Sequence, residues 1–445
     1  MTSTCWTRTQ DNNGIVWLML DRPGRSANAL SKVVLEELDA ILRDIALAVP
    51  RGLVIGSAKA SGFIAGADIK EFTTLSSVDE ARRLVRAGQS VLDRLEALPC
   101  PTVAMIEGFA LGGGLELALA CRYRVALDDG RLTLGLPEVM LGIHPGFGGT
   151  VRAVRLLGAA TALDLMLTGR NVRADKARRI GLVDALARDP EALKTLARDF
   201  VLTPRATHRP PLLQRALSWA PIRPFVKPRL LAQVRKKARQ EHYPAPYALI
   251  ELWFKHGAQG AVAYEAEADS IAQLFLTPTA RNLVRVFLLQ DALKAQGDKT
   301  LKAAEHVHVI GAGVMGADIA ALCATRGLHV TLQDRDAAIV EAAILQQHAK
   351  MAERIKDPAR RDAAIARLRA DVDGSTVGEA DVVIEAIVER ADVKRGVFTA
   401  LEPRLKEDAI LATNTSSIKL EELSSALQRP ERLVGLHFFN PVALM

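Results

Sequence analysis

Residues Glu107-Gly108-Phe109-Ala110-Leu111-Gly112-Gly113-Gly114-Leu115-Glu116-Leu117-Ala118 decide the reading of this chain. Before them runs Thr102-Val103-Ala104-Met105-Ile106, an apolar stretch of strand type, and Leu115 to Ala120 continues as a helix. Glycines between strand and helix let a ligand approach the backbone, and a helix opening there aims unpaired N–H groups at developing negative charge. Glu116 falls among apolar neighbours, where a carboxylate must be paired or engaged in chemistry. A second acid, Glu138, lies in the frame Leu136-Pro137-Glu138-Val139-Met140-Leu141-Gly142-Ile143. Two carboxylates at one point suit general acid–base work on water, one accepting a proton while the other donates one. The loop Phe63-Ile64-Ala65-Gly66-Ala67-Asp68-Ile69-Lys70 offers a further backbone N–H, and two such donors on one oxygen form an oxyanion hole.

Three segments in this order, 63–70, 107–118 and 136–150, resemble the crotonase (enoyl-CoA hydratase/isomerase) superfamily over residues 10–190. The resemblance implies a crotonase fold acting on acyl-CoA thioesters. Glu116 and Glu138 would then work on either side of the bound water, with the amides of Ala67 and Gly113 on the thioester oxygen. Keeping both glutamates favours hydration, and double-bond isomerisation stays open as the main activity.

A second chemistry begins at His306-Val307-His308-Val309-Ile310, a buried-strand pattern. Gly311-Ala312-Gly313-Val314-Met315-Gly316 follows, then a helical stretch, a second strand at His329–Gln333 and the acid Asp334. Strand, glycines, helix, strand and terminal acid form the dinucleotide fingerprint, with the pyrophosphate at the helix start and the acid on the ribose diol. Apolar strands at Val382–Ala386, Ile410–Thr413 and Leu433–Leu436 lead into Glu389, Asn414-Thr415-Ser416 and His437. Polar groups at strand ends are expected where an open parallel sheet binds its ligand.

These segments resemble the Rossmann NAD-binding lobe of 3-hydroxyacyl-CoA dehydrogenases. The resemblance implies His437 as the base for the 3-hydroxyl and Ser416 as a hydrogen-bond partner of that oxygen. It also implies Gly311, Gly313, Met315, Gly316, Asp334, Ile387, Val388, Glu389, Lys394, Ser416 and Asn440 as the lining for NAD. The order of the two halves is similar to that of multifunctional fatty-acid-oxidation proteins. In that family a glutamate, further strands and a helical domain follow the histidine. The reading therefore expects an incomplete lobe and an impaired dehydrogenase.

The 445 residues suggest two to four domains, and 49% hydrophobic with 24% charged residues is an ordinary globular composition. The expected division is 1–190, a basic and helical linker at 191–302, and 303–445. No run of 18 apolar residues exists, and the first residues lack the pattern of a secretory or organellar leader. Cys5, Cys100, Cys121 and Cys323 are scattered without metal spacing, so no metal is expected. Together these give the expectation of a bacterial cytoplasmic enzyme.

The net charge of +7 is concentrated in residues 203–240, which carry ten Lys or Arg, six prolines and no acid. This segment reads as a solvated linker, a peripheral contact with anionic membrane, or an attraction for phosphorylated ligands. Two aromatics without a recognition motif argue against nucleic acid. The overall expectation is an α/β enzyme that hydrates trans-2-enoyl-CoA and carries an NAD-dependent dehydrogenase half, with a thiolase β subunit as partner. An NAD- or acyl-CoA-binding scaffold is the rival from another class.

Overall fold

The computed structural model describes residues 5–298 and 300–444, which divide into two units, 1–297 and 298–445. In the first unit the strands are β1 (Trp6–Gln10), β2 (Ile15–Leu20), β3 (Gly52–Ser57), β4 (Thr102–Ile106), β5 (Phe109–Leu111), β6 (Tyr123–Leu127), β7 (Thr133–Gly135) and β8 (Ala185–Ala187). Six of them form a sheet in the order β1-β2-β3-β4-β6-β8, antiparallel at the β1–β2 hairpin and parallel beyond it. β5 and β7 make a separate parallel pair.

Alternation along each strand divides the core between the two faces of the sheet. Leu53, Ile55, Ala104 and Ile106 join one cluster with the Lys32–Leu47 helix. Val54, Val103 and Met105 face the other way, onto Leu193, Ala197, Phe200 and Val201 of the Pro190–Leu202 helix. That helix caps itself through Asp189, whose side chain accepts from the Ala192 amide. The Lys32–Leu47 helix is capped likewise by Ser31, and the buried Asn28 nearby donates to Leu20 O.

The first unit thus extends well past residue 190. The stripe on Pro190–Leu202 covers a sheet face that would otherwise meet water. The helices Pro244–His256 and Gly260–Phe275 bury Leu249, Trp253, Ile271 and Phe275 in the same unit. Residues 191–297, most of the expected basic and helical linker, thus fall within the first unit. The composition shift at 203 misled because it reports exposed surface rather than what the flanking apolar stripes cover. The basic segment itself contains the Leu212–Ala216 and Arg223–Arg235 helices.

In the second unit β9 (His306–Ile310), β10 (His329–Gln333), β11 (Leu368–Ala370), β12 (Val382–Glu385), β13 (Ile410–Thr413) and β14 (Leu433–Gly435) form one sheet. Every pairing is parallel, in the order β11-β10-β9-β12-β13-β14. Counted from β9, this is the 3-2-1-4-5-6 order of dinucleotide-binding sheets, with the direction of winding reversing between β9 and β12. The described residues supply the six strands of that order. Among the described residues no helix is long and apolar enough to cross a membrane.

Candidate functional site

In the first unit the Gly113–Ala120 helix is buried along its whole length, its acid included. Glu116 is 2% exposed, and its Oε1 accepts from the N–H groups of Phe147 and Gly149, both at 2.7 Å. Glu138 stands on the short Pro137–Leu141 3₁₀ helix, which Gly142 closes at φ 73°. Its stem is half-buried, but both carboxyl oxygens are buried and have no hydrogen-bond partner.

Glu116 and Glu138 line one cavity of about 90 Å³ together with Ala67 and Gly113. Its apolar wall includes Phe72, Leu141, Ile143, Ile271 and Phe275. The bridge at Leu30 and Ala67 uses the Gly66 carbonyl and the Asp68 amide, which leaves the Ala67 N–H outside the ladder. Gly113 opens its helix, so its N–H has no acceptor there. The two lie close: a Cβ on Gly113 would stand 3.2 Å from Ala67 N. Gly112, at φ 49°, is also required for space, since a Cβ there would come 3.1 Å from Glu138 Oε1.

The two carboxyls are tuned differently. Burial pushes Glu138 up to about 8, with its own backbone amide opposing and repulsion from Glu267 adding. Glu116 is also pushed well up, first by burial and then by Glu138 and Glu267, while the Gly149 and Phe147 amides pull it back. Acids this close cannot all ionise at neutrality, and the group titrates as a set. Glu116 accepts from two amides that stabilise its charged form, whereas no other residue donates to the Glu138 carboxyl.

Glu267, on the Gly260–Phe275 helix, is fully buried beside this pair and was not found by sequence reasoning. It accepts from Gly148 N at 2.6 Å, Thr150 N at 2.9 Å, Gln89 Nε2 at 3.0 Å and the Thr150 hydroxyl. The only signal available in sequence was an acid flanked by Ala263, Ala268 and Ile271. His144, another cavity residue, is held neutral: burial lowers it to about 4, Nδ1 donates to Pro145 O and Nε2 accepts from Ser270.

In the second unit the residues expected to hold the dinucleotide gather beyond the carboxyl ends of the strands. Gly311 has φ 105°, and a Cβ there would strike Ala386 O at 2.5 Å, so the loops after β9 and β12 meet at the winding switch. A Cβ on Gly316 would fall 1.8 Å from Gly311 O, whereas one on Gly313 meets nothing within 4 Å. That leaves room for a pyrophosphate over the start of the Val314–Thr325 helix, where Met315 lies in the first turn. Asp334 follows β10, and its Oδ2 accepts from Ala312 N at 2.8 Å, which ties the acid to the glycine loop. These residues fit NAD.

Ile387, the exposed Val388 and Glu389 follow β12. Ser416 and His437 follow β13 and β14 and meet, Oγ to Nε2, at 2.9 Å. Glu389 accepts from the Thr415 hydroxyl and from the Ser416 and Ser417 amides. Partial burial opposes its ionisation, but these bonds and Lys394 hold the carboxyl down at about 2. Asn440 precedes Pro441 just beyond His437. Lys394 departs from the expectation of a cofactor contact. Its ammonium is buried against Glu385 at 2.7 Å and Glu389 at 3.3 Å, so it braces the loop from beneath. Among the described residues no His, Cys, Asp and Glu group is arranged to hold a metal ion.

Two neighbouring backbone amides beside paired buried acids, and a doubly wound sheet with a glycine loop at its winding switch, define an α/β chain of two units, each with its own site. Residues 10–216 match the family model for enoyl-CoA hydratase/isomerase, and residues 306–445 match that for the 3-hydroxyacyl-CoA dehydrogenase NAD binding domain. Each unit thus matches one of these models, the hydratase/isomerase model in the first and the NAD binding model in the second. It is 36% identical over 453 residues to the fatty acid oxidation complex subunit alpha of Shewanella loihica, covering 99% of this chain and 64% of that protein. The protein of the same description from Aliivibrio fischeri is 36% identical over 451 residues, covering 98% and 65%. The chain therefore spans a little under two thirds of the length of these relatives. A solved enoyl-CoA hydratase from Bacillus anthracis is 29% identical, covers 66% of this chain and 97% of its own, and has a TM-score of 0.42.

Proposed function

We propose that the first unit hydrates a trans-2-enoyl-CoA to the 3-hydroxyacyl-CoA and that the second oxidises this product. The observation that carries the first half is the pairing of Glu116, held by two amides, with Glu138, whose buried carboxyl meets no donor. The Ala67 and Gly113 amides take the thioester oxygen and draw charge from the double bond. Glu116 removes a proton from the attacking water, whose oxygen bonds to the β-carbon. Glu138 delivers its proton to the α-carbon, and exchange with solvent restores both acids.

In the second unit His437 Nε2 takes the 3-hydroxyl proton, with Ser416 Oγ fixing the same oxygen. Glu389 holds the Ser416 loop by its amides and hydroxyl. NAD, when bound, supplies the acceptor for the hydride. Acyl-CoA thioesters are the substrates in this reading, and a thiolase β subunit is a fitting partner because it would consume the 3-oxoacyl product.

The test is hydration of crotonyl-CoA, followed by loss of the conjugated thioester absorbance, beside product analysis with a β,γ-enoyl-CoA. Glu116→Gln should lower hydration by about 10²–10⁴-fold while acyl-CoA binding persists. Isomerised product without hydration, or near-normal turnover by the variant, refutes the two-acid mechanism.

A further inference from the structure

Four successive amides at the start of the Gly149–Leu157 helix are shared alternately between two buried acids. Phe147 and Gly149 donate to Glu116, while Gly148 and Thr150 donate to Glu267. Gly148 sits at φ 95°, and this turn is what sends neighbouring N–H groups in opposite directions. Glu267 is tied further by the Thr150 hydroxyl and by Gln89, whose Nε2 also reaches Gly146 O and Tyr264 O. Glu267 is not among the residues that line the cavity. It comes from residues beyond the 10–216 match to the hydratase family.

From this alternation we propose that Glu267 is a positioning residue for hydration. By holding the Gly148 and Thr150 amides, it keeps those of Phe147 and Gly149 aimed at Glu116. The proposal rests on the hydratase reading above. Its physical reason is that a loop with every second amide anchored has one way to present the others. If Glu267 is removed, two buried donors lose their acceptor and the loop can turn Phe147 or Gly149 away from the base. Misplacement of a catalytic group by about 1 Å costs on the order of 10²-fold in rate.

The groups facing Glu116 are Glu138 on its 3₁₀ helix, Glu267 on the Gly260–Phe275 helix and neutral His144 in the preceding loop. Arg152 lies behind them, donating to Phe147 O and paired with Asp93 and Glu96. Of these charges, only Glu267 is removed in the test.

Glu267→Gln in the full chain is expected to lower kcat for crotonyl-CoA hydration about 10²-fold, with KM held within about 3-fold. The acid limb of its pH–rate profile should move, because Glu116 loses both a neighbouring negative charge and the fixed amides that stabilise its own. Amide exchange at residues 147–150 should quicken. A purely structural role would lower active protein without moving the profile. Wild-type kcat with an unmoved profile overturns the proposal.

Thr150→Val, which removes one donor and keeps the shape, covers the case in which Glu267→Gln does not fold. A lower kcat at unchanged KM then supports the proposal, and a wild-type kcat overturns it. If the wild-type chain hydrates nothing, the hydratase reading fails, and exchange at 147–150 judges Glu267 separately: unchanged exchange in the variant overturns its positioning role.

Discussion

Replacing Glu138 by Gln separates what this acid costs the fold from what it does for the reaction. The carboxyl is raised from 4.5 to about 8, chiefly by burial. Between those values the native chain holds a proton that the unfolded chain has released. Stability therefore falls as pH rises, beginning near the unfolded value and ending once pH passes the native one. At about 1.36 kcal/mol for each tenfold change in proton affinity, the ceiling on this penalty is about 5 kcal/mol. The share assignable to Glu138 alone is smaller, because Glu116 and Glu267 titrate with it.

Gln at 138 cannot ionise, so the variant escapes that slope. Any cost of burying its amide without a partner, about 1–3 kcal/mol, is independent of pH and cancels in the comparison. The expected result is a stability advantage for Glu138→Gln that grows by a few kcal/mol from about pH 5 to about pH 8.5. Hydration should meanwhile fall by about 10²–10⁴-fold. Wild-type kcat should decline as pH rises through about 8, where the proton donor is lost.

The assay is urea unfolding followed by tryptophan fluorescence. All four tryptophans, Trp6, Trp17, Trp219 and Trp253, lie in the first unit, so the signal reports that unit alone. A difference between variant and wild type that stays flat across this range refutes Glu138 as an acid whose proton affinity the fold has raised.

Gly149→Ala should reduce hydration sharply with little effect on acyl-CoA affinity, because the new Cβ would stand 2.6 Å from Glu116 Oε1; kcat and KM read separately are the check. Asp334 beside the ribose should make NAD bind more tightly than NADP, and Asp334→Asn should narrow the gap, as read by fluorescence titration of both. Equal affinities in the wild type would remove Asp334 from that role. Lys394→Met leaves Glu385 buried without its cation and should cost the second unit about 3–5 kcal/mol. Thermal loss of NAD binding measures this, and an unchanged midpoint contradicts the bracing role.

Several elements were legible because their causes are local. The apolar runs at Thr102–Ile106, His306–Ile310, His329–Gln333 and Ile410–Thr413 coincide with strands residue for residue. A run of four or five residues rich in Val, Ile and Leu between turn formers has few other ways to bury itself. The glycine motifs fell at strand-to-helix turns because Gly112 and Gly311 adopt positive φ there. Spacing alone also carried Asp334 to the end of the second strand of its unit.

Other features depended on contacts that no local pattern encodes. The Pro190–Leu202 helix belongs to the first unit because a sheet face needs its stripe, while the sequence offered only a basic segment nearby. Lys394 and Glu385 are paired beneath the cofactor loop, which spacing did not distinguish from a place on its surface. Glu267 is the clearest case, meeting Gly148 across a separation of 119 residues. A glutamate on a helix is ordinarily solvated, and nothing within a few residues of this one marks it otherwise. Its role depends on which helix N-terminus the folded chain delivers to it, and burial and hydrogen bonding of that kind exist only once distant segments have packed.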